Sequence, residues 1–155
     1  YRRLAESVME RVEEALGARG VPWTGRAHLP GGGFPVDGFE ALEDRLAADY
    51  PFLPQRTVHR LANQHGTDAR RFLAGAVAME DLGERFGEDL TAAEVAHMVD
   101  REWAETAEDV LWRRTKLGLV TPAEDVARLE AFLARRVDAA TDAAAPASAD
   151  PSAGG

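Results

Sequence analysis

Residues 91–103, TAAEVAHMVDREW, decide the fold. Thr91 and Glu94 have the spacing of a capping box, in which a hydroxyl and a carboxylate each satisfy a helix amide that lacks an intrahelical partner. Val95, Met98, Val99 and Trp103 follow on one apolar face. The same grammar recurs downstream. Thr106-Ala107-Glu108-Asp109 is a second local start, leading through Val110 and Leu111 to Gly118. Thr121-Pro122-Ala123-Glu124 is a third, with proline at the first helical position, where its missing N–H costs little. Val126, Leu129, Leu133 and Val137 give the stripe that follows.

Upstream the pattern is also helical. Phe39, Leu42, Leu46 and Tyr50 share a face, with Asp37 as candidate N-cap, and Pro51 and Pro54 divide that helix from the next. Gln55 to His65 reads as a short helix carrying Val58 and Leu61 and stopped by Gly66. Thr67 opens a segment with Phe72, Ala76, Met79, Leu82 and Phe86 on one side; Gly75 and Gly83 threaten to break it, and Gly87 ends it. Residues 17–37 hold too many glycines and prolines for a helix or a central strand and read as a long bridge. Before it, residues 1–16 form a helix with Leu4, Val8, Val12 and Leu16 on one stripe. From Asp138 nothing apolar is larger than alanine, so a disordered tail is expected over 138–155. No run alternates with period two. The expectation is all-α: an irregular bundle of five or six short helices over 38–137, preceded by a separate helix and a bridge.

The sequence has 155 residues, 45% hydrophobic and 29% charged, which suits one globular domain with tails. With 18 basic and 27 acidic side chains the net charge is −9, so no nucleic-acid partner is expected. There is no cysteine, which excludes disulfides, thiolate metal sites and a cysteine nucleophile. No apolar run approaches the ~18 residues of a membrane span. The chain opens with Tyr1, and its first helix has no cap, so it reads as a piece of something longer.

Candidate sites are few. His28, His59, His65 and His97 make no metal-binding spacing and are expected at the surface or its boundary. Glu94 and His97 form one Glu-x-x-His; a di-iron bundle needs two, and Glu94 is already used in the capping box, so no metal site is expected. Leu29-Pro30-Gly31-Gly32-Gly33 lacks the strand and the lysine of a phosphate loop and reads as a turn that lets two backbones approach. Arg113-Arg114-Thr115-Lys116 is the basic cluster. Asp109 and Arg113 are i, i+4, which favours a structural ion pair over an anion or domain contact. Trp103 and Trp112 read as buried anchors or as a domain interface. No catalytic constellation can be assembled.

Two stretches carry a family resemblance. Residues 102–119, EWAETAEDVLWRRTKLGL, resemble the signature near the C-terminus of FAD-dependent glycerol-3-phosphate dehydrogenases: an acidic residue, an aspartate, an apolar pair, Arg-Arg-Thr and a Leu-Gly ending. Tyr1-Arg2-Arg3-Leu4-Ala5-Glu6 is similar to the end of that family's Lys-Leu-Thr-Thr-Tyr-Arg segment, and Leu29-Pro30-Gly31-Gly32 to its leucine-proline-glycine turn. The resemblance spans residues 1 to about 137.

It implies a parent enzyme that oxidises sn-glycerol 3-phosphate to dihydroxyacetone phosphate through FAD, with a membrane quinone as acceptor. Residues 1–16 would be the last helix of a truncated FAD-binding domain, 17–37 the bridge and 38–137 the helical C-terminal domain. The dinucleotide fingerprint is missing from this chain. Catalytic residues are therefore not carried over. Tyr1 and Arg2 are transferred only as neighbours of the flavin site; Asp109, Arg113, Arg114, Trp103 and Trp112 take structural or interface roles. The implied partners are the FAD-binding domain of the same polypeptide, glycerol 3-phosphate and quinone. The implied location is cytoplasmic, with peripheral attachment to the inner face of the cell membrane as an option. The chain alone is expected to be inactive. A stand-alone helical interaction module and the oxygen-using glycerophosphate oxidase are the alternatives.

Overall fold

The computed structural model describes residues 1–17 and 20–144, with side chains as far as residue 136. Six α-helices dominate: α1 (Arg2–Leu16), α2 (Phe39–Asp49), α3 (Gln55–His65), α4 (Ala69–Leu73), α5 (Ala92–Glu102) and α6 (Ala123–Ala144). The all-α expectation holds, with one addition. Between α4 and α5 lies a minimal antiparallel hairpin of β1 (Arg85–Phe86) and β2 (Leu90–Thr91), pairing Arg85 with Thr91 and Phe86 with Leu90. Two residues per strand are too few to display alternation, so period-two reading passes over it.

The segment from Thr67 breaks where its glycines predict. Helix α4 stops at Leu73, and Gly75 takes φ 81. A short 3-10 turn, Met79–Leu82, is held by the Asp81 carboxylate, which accepts from the amides of Val77 (2.8 Å) and Ala78 (2.9 Å). Gly83 then turns the chain into the hairpin at φ 77. Helix α2 is capped by Gly38 and not by Asp37. Helix α6 runs to Ala144, so the expected tail starts inside a helix. Residues 145–155 of that tail lie outside the described residues, as does the side chain of Val137.

The apolar stripes fold into two clusters. One gathers Leu42 and Leu46 of α2, Leu53 of the connection after it, Val58 and Leu61 of α3, Leu73 of α4 and Leu82. The other gathers Phe86 and Leu90 of the hairpin, Val95 and Met98 of α5, Val110 and Leu111, and Leu129 and Leu133 of α6. Burying a large aliphatic side chain contributes about 1.5–3 kcal/mol, so these stripes are what hold the short helices in place. Helix α1 is different. None of its residues is buried, and Leu4, Val8, Met9, Val12 and Leu16 are all solvent-exposed.

The glycine-rich turn at residues 29–33 brings two backbones together, as read from the sequence. Gly31 (φ 73) and Gly66 (φ 55) face one another, and the Thr67 amide donates to the Gly31 carbonyl at 2.9 Å. A Cβ on Gly31 would stand 2.2 Å from the His65 carbonyl oxygen, and one on Gly66 would stand 2.0 Å from the Gly31 oxygen. Only glycine fits either position.

Candidate functional site

A polar seam joins the two apolar clusters where side chains of α3 reach Glu94 of α5. Arg60 of α3 forks onto Glu94 of α5, Nη1 donating to Oε1 at 2.6 Å and Nη2 to Oε2 at 2.8 Å. Its Nη2 also donates to the Asp89 carbonyl at 2.9 Å, tying in the hairpin loop. The Glu94 side chain is 1% exposed. Burial alone would push its carboxyl up, but the two Arg60 hydrogen bonds, that of His65 and the Arg60 charge outweigh burial and hold it below the usual carboxylate range. The Arg60 guanidinium is correspondingly raised: burial opposes its charge and the Glu94 carboxylate more than compensates.

This corrects the sequence reading of Glu94. The Thr91 hydroxyl does accept from the Glu94 amide, at 3.4 Å, so half of the capping box forms. The Glu94 carboxylate, however, turns inward to Arg60 and His65. The missed signal was its position: it precedes Val95 on the apolar side of α5, where a charge demands a buried partner.

His65 and His97 are also corrected. Both are buried, whereas His28 and His59 are exposed as expected. His65 ends α3 with its Nε2 3.0 Å from Glu94 Oε1. Its ring stands edge-on to His97 at 5.5 Å and to Phe72 at 5.1 Å between centroids. Glu102, at the end of α5, brings Oε1 to 3.4 Å from His65 Nδ1 and 3.8 Å from His97 Nε2. Burial, together with the neighbouring His65, pushes the His97 imidazole below its ordinary pKa. His97 also borders an open cleft of about 310 Å³ lined by Arg71, Phe72, Asp100 and Arg101 among others.

The 102–119 stretch forms the other notable region. Thr106 and Asp109 cap each other: Asp109 Oδ2 accepts from the Glu105 and Thr106 amides and the Thr106 hydroxyl, while Thr106 Oγ1 accepts from the Asp109 amide at 3.1 Å. Those bonds, Thr106's first, lower the Asp109 carboxyl to about 2. The chain then winds as a π-helix over Asp109–Arg114, a rare geometry that recurs at functional positions. Arg113 pairs with Asp109 at 2.8 Å and Glu108 at 2.9 Å, both at the surface. Arg114 reaches back to the Glu102 carbonyl, Nη2 donating at 2.5 Å. Both arginines are thus engaged within the chain.

Trp103 and Trp112 are not buried anchors. Trp103 is 87% exposed and Trp112 45% exposed. Leu119 and Val120, a few residues on, are exposed as well. The Trp112 indole lies over Gly118, where an added Cβ would come within 2.5 Å of the ring. Tyr1 is fully exposed, and the Arg2 guanidinium is taken by Glu6 at 2.6 Å. Neither residue, as placed, builds a cradle for a flavin, and no catalytic step is assigned to them.

The fold and its seam define a predominantly helical domain, with apolar surface exposed on α1 and charged groups engaged between its elements. The chain belongs to the family described as the C-terminal domain of alpha-glycerophosphate oxidase, whose sequence profile matches residues 23–134. It is 41% identical over 133 residues to glycerol-3-phosphate dehydrogenase of Pseudomonas aeruginosa, covering 86% of this chain and 26% of that protein. D-Erythritol 1-phosphate dehydrogenase of Brucella abortus is likewise 41% identical over 133 residues, covering 85% of this chain and 26% of its own length. Aerobic glycerol-3-phosphate dehydrogenase of Escherichia coli is 36% identical over 133 residues, covering 86% and 26%. The chain thus spans about a quarter of the length of these relatives. Among the described residues no helix is long and apolar enough to cross a membrane.

Proposed function

We propose that this chain is the helical C-terminal part of an FAD-dependent sn-glycerol-3-phosphate dehydrogenase, which converts glycerol 3-phosphate to dihydroxyacetone phosphate with quinone as acceptor. The observation that carries the reading is α1: a continuous apolar stripe, Leu4, Val8, Val12 and Leu16, with none of its residues buried. A stripe of that kind is built to be covered. The rest of the relatives' length supplies an occupant, a catalytic domain in the same polypeptide. FAD, bound by that domain, is the hydride acceptor when present. This chain's own part is packing, through α1, Trp103 and Trp112, with Asp109, Arg113 and Arg114 keeping the 102–119 segment in shape.

The same relatives support a wider substrate class. The erythritol phosphate enzyme matches as well as the glycerol phosphate enzyme, so the choice between two polyol phosphates is made outside this chain. The family's own description supports oxygen as the alternative acceptor. The location is cytoplasmic, with peripheral attachment to the inner face of the cell membrane as the option; among the described residues no helix is long and apolar enough to cross a membrane.

The test is reconstitution. The purified chain is expected to be colourless and inactive. Mixed with the flavin-binding portion of the Escherichia coli relative, it should co-elute and support oxidation of glycerol 3-phosphate. Carrying Val8→Asp with Val12→Asp, it should no longer associate. Stoichiometric flavin absorbance from the chain alone, or association unaffected by the two aspartates, overturns the reading. A quinone analogue compared with oxygen in the reconstituted enzyme identifies the acceptor.

A further inference from the structure

The seam contains a buried atom without a partner. His65 has a side chain 1% exposed, and its Nδ1 makes no hydrogen bond. A buried nitrogen left without a hydrogen bond is unfavourable, so it calls for a ligand. Its other nitrogen, Nε2, faces the Glu94 carboxylate at 3.0 Å, and Glu94 is itself fixed by Arg60. A carboxylate accepting from Nε2–H sets the tautomer, leaving the Nδ1 lone pair free and aimed at Glu102 and His97. Such a carboxylate behind an imidazole is the usual support of a metal-ligating histidine.

We propose that His65 Nδ1, His97 Nε2 and a Glu102 carboxylate oxygen bind one divalent cation of the zinc class. The three ligand atoms lie within 4.8 Å of one another. A tetrahedral ion with bonds of about 2.0–2.2 Å sets its ligands about 3.4 Å apart. The Glu102 Oε1 to His65 Nδ1 separation is already 3.4 Å, and that from Oε1 to His97 Nε2 is 3.8 Å. Small side-chain rotations close the remainder. Two imidazoles and one carboxylate suit zinc or cobalt better than calcium or magnesium, which prefer oxygen ligands throughout. Arg114 anchors the Glu102 backbone at 2.5 Å and stands 3.7 Å from the carboxylate's other oxygen, orienting Oε1 toward the histidines. His97 borders the cleft, so a water in the fourth position has a route to solvent. The ion would pin the end of α3 to the end of α5 as a structural joint.

The rival account leaves the ion out: the His65 ring lies between the Glu94 and Glu102 carboxylates with nothing bound. The two accounts differ in uptake. The chelator-treated chain, titrated with Co2+, should bind one equivalent with visible absorption of tetrahedral intensity, and Zn2+ should displace it. Zn2+ should also raise the melting temperature. His97→Gln should abolish the tetrahedral spectrum or weaken binding by at least about 100-fold. Glu102→Gln, at a partly exposed position, should do the same with unchanged far-UV circular dichroism. Absence of a one-equivalent step in the wild-type chain, or a step unaltered in both variants, overturns the proposal. None of these readouts depends on flavin or on association with a catalytic domain.

Discussion

Trp103 follows α5 in the left-handed backbone region, φ 56 and ψ 37, a place where helices usually end in glycine. A side chain there costs about 1–2 kcal/mol, and this one puts its indole into water instead of the core. Strain combined with exposure of a large aromatic ring points to a residue kept for what it touches. Trp103→Gly is expected to stabilise the isolated chain by about 1 kcal/mol in urea denaturation while weakening association with a catalytic domain. Equal or lower stability would argue that the turn is not strained. Asp109 supplies the acid sensitivity at this scale. Its carboxyl, at about 2, lies below the ordinary 3.8, so its contribution is complete above about pH 4 and is lost as the pH falls toward 2. The difference in urea midpoint between the wild type and Asp109→Asn should therefore be largest near neutrality and close over that window. A gap that persists at about pH 2 would assign the effect to packing.

At the scale of elements, the helices were legible because each carries an apolar stripe, whether buried or, in α1, exposed, and stripes repeat in sequence. The Thr91 hydroxyl cap, the Thr106–Asp109 pair and the proline at 122 also show without coordinates. What escaped reading was made by contacts between elements. The hairpin needs Phe86 and Leu90 to find the second apolar cluster. The seam needs side chains of α3 and α5 brought together, His65 meeting Glu94 from 29 residues away. Sequence spacing sees Glu94 and His97 on one helix, yet cannot see what the other helix presents to them. The turn at 29–33 was readable because glycine is the only residue that allows such an approach. Gly31→Ala is expected to cost more than about 2 kcal/mol, since its Cβ would overlap the His65 carbonyl. Hydrogen exchange at the Thr67 amide, which donates to Gly31, should speed up in the variant. Unaltered protection there would show that the contact can be made without glycine.

The whole molecule is lopsided. Its middle and C-terminal helices share two apolar clusters and a charged seam, while its first helix contributes nothing to either. That asymmetry extends to the three tryptophans. Trp23 and Trp103 are exposed and Trp112 is half-covered, so none of these chromophores marks the interior. The emission of the native chain should therefore already be red-shifted, and urea should abolish the helical dichroism while hardly moving the fluorescence maximum. An optical probe blind to unfolding is, for the same reason, well placed to register a partner. When a second surface dries those indoles, the spectrum should move to the blue, giving a signal for assembly that melting of the bundle does not contaminate.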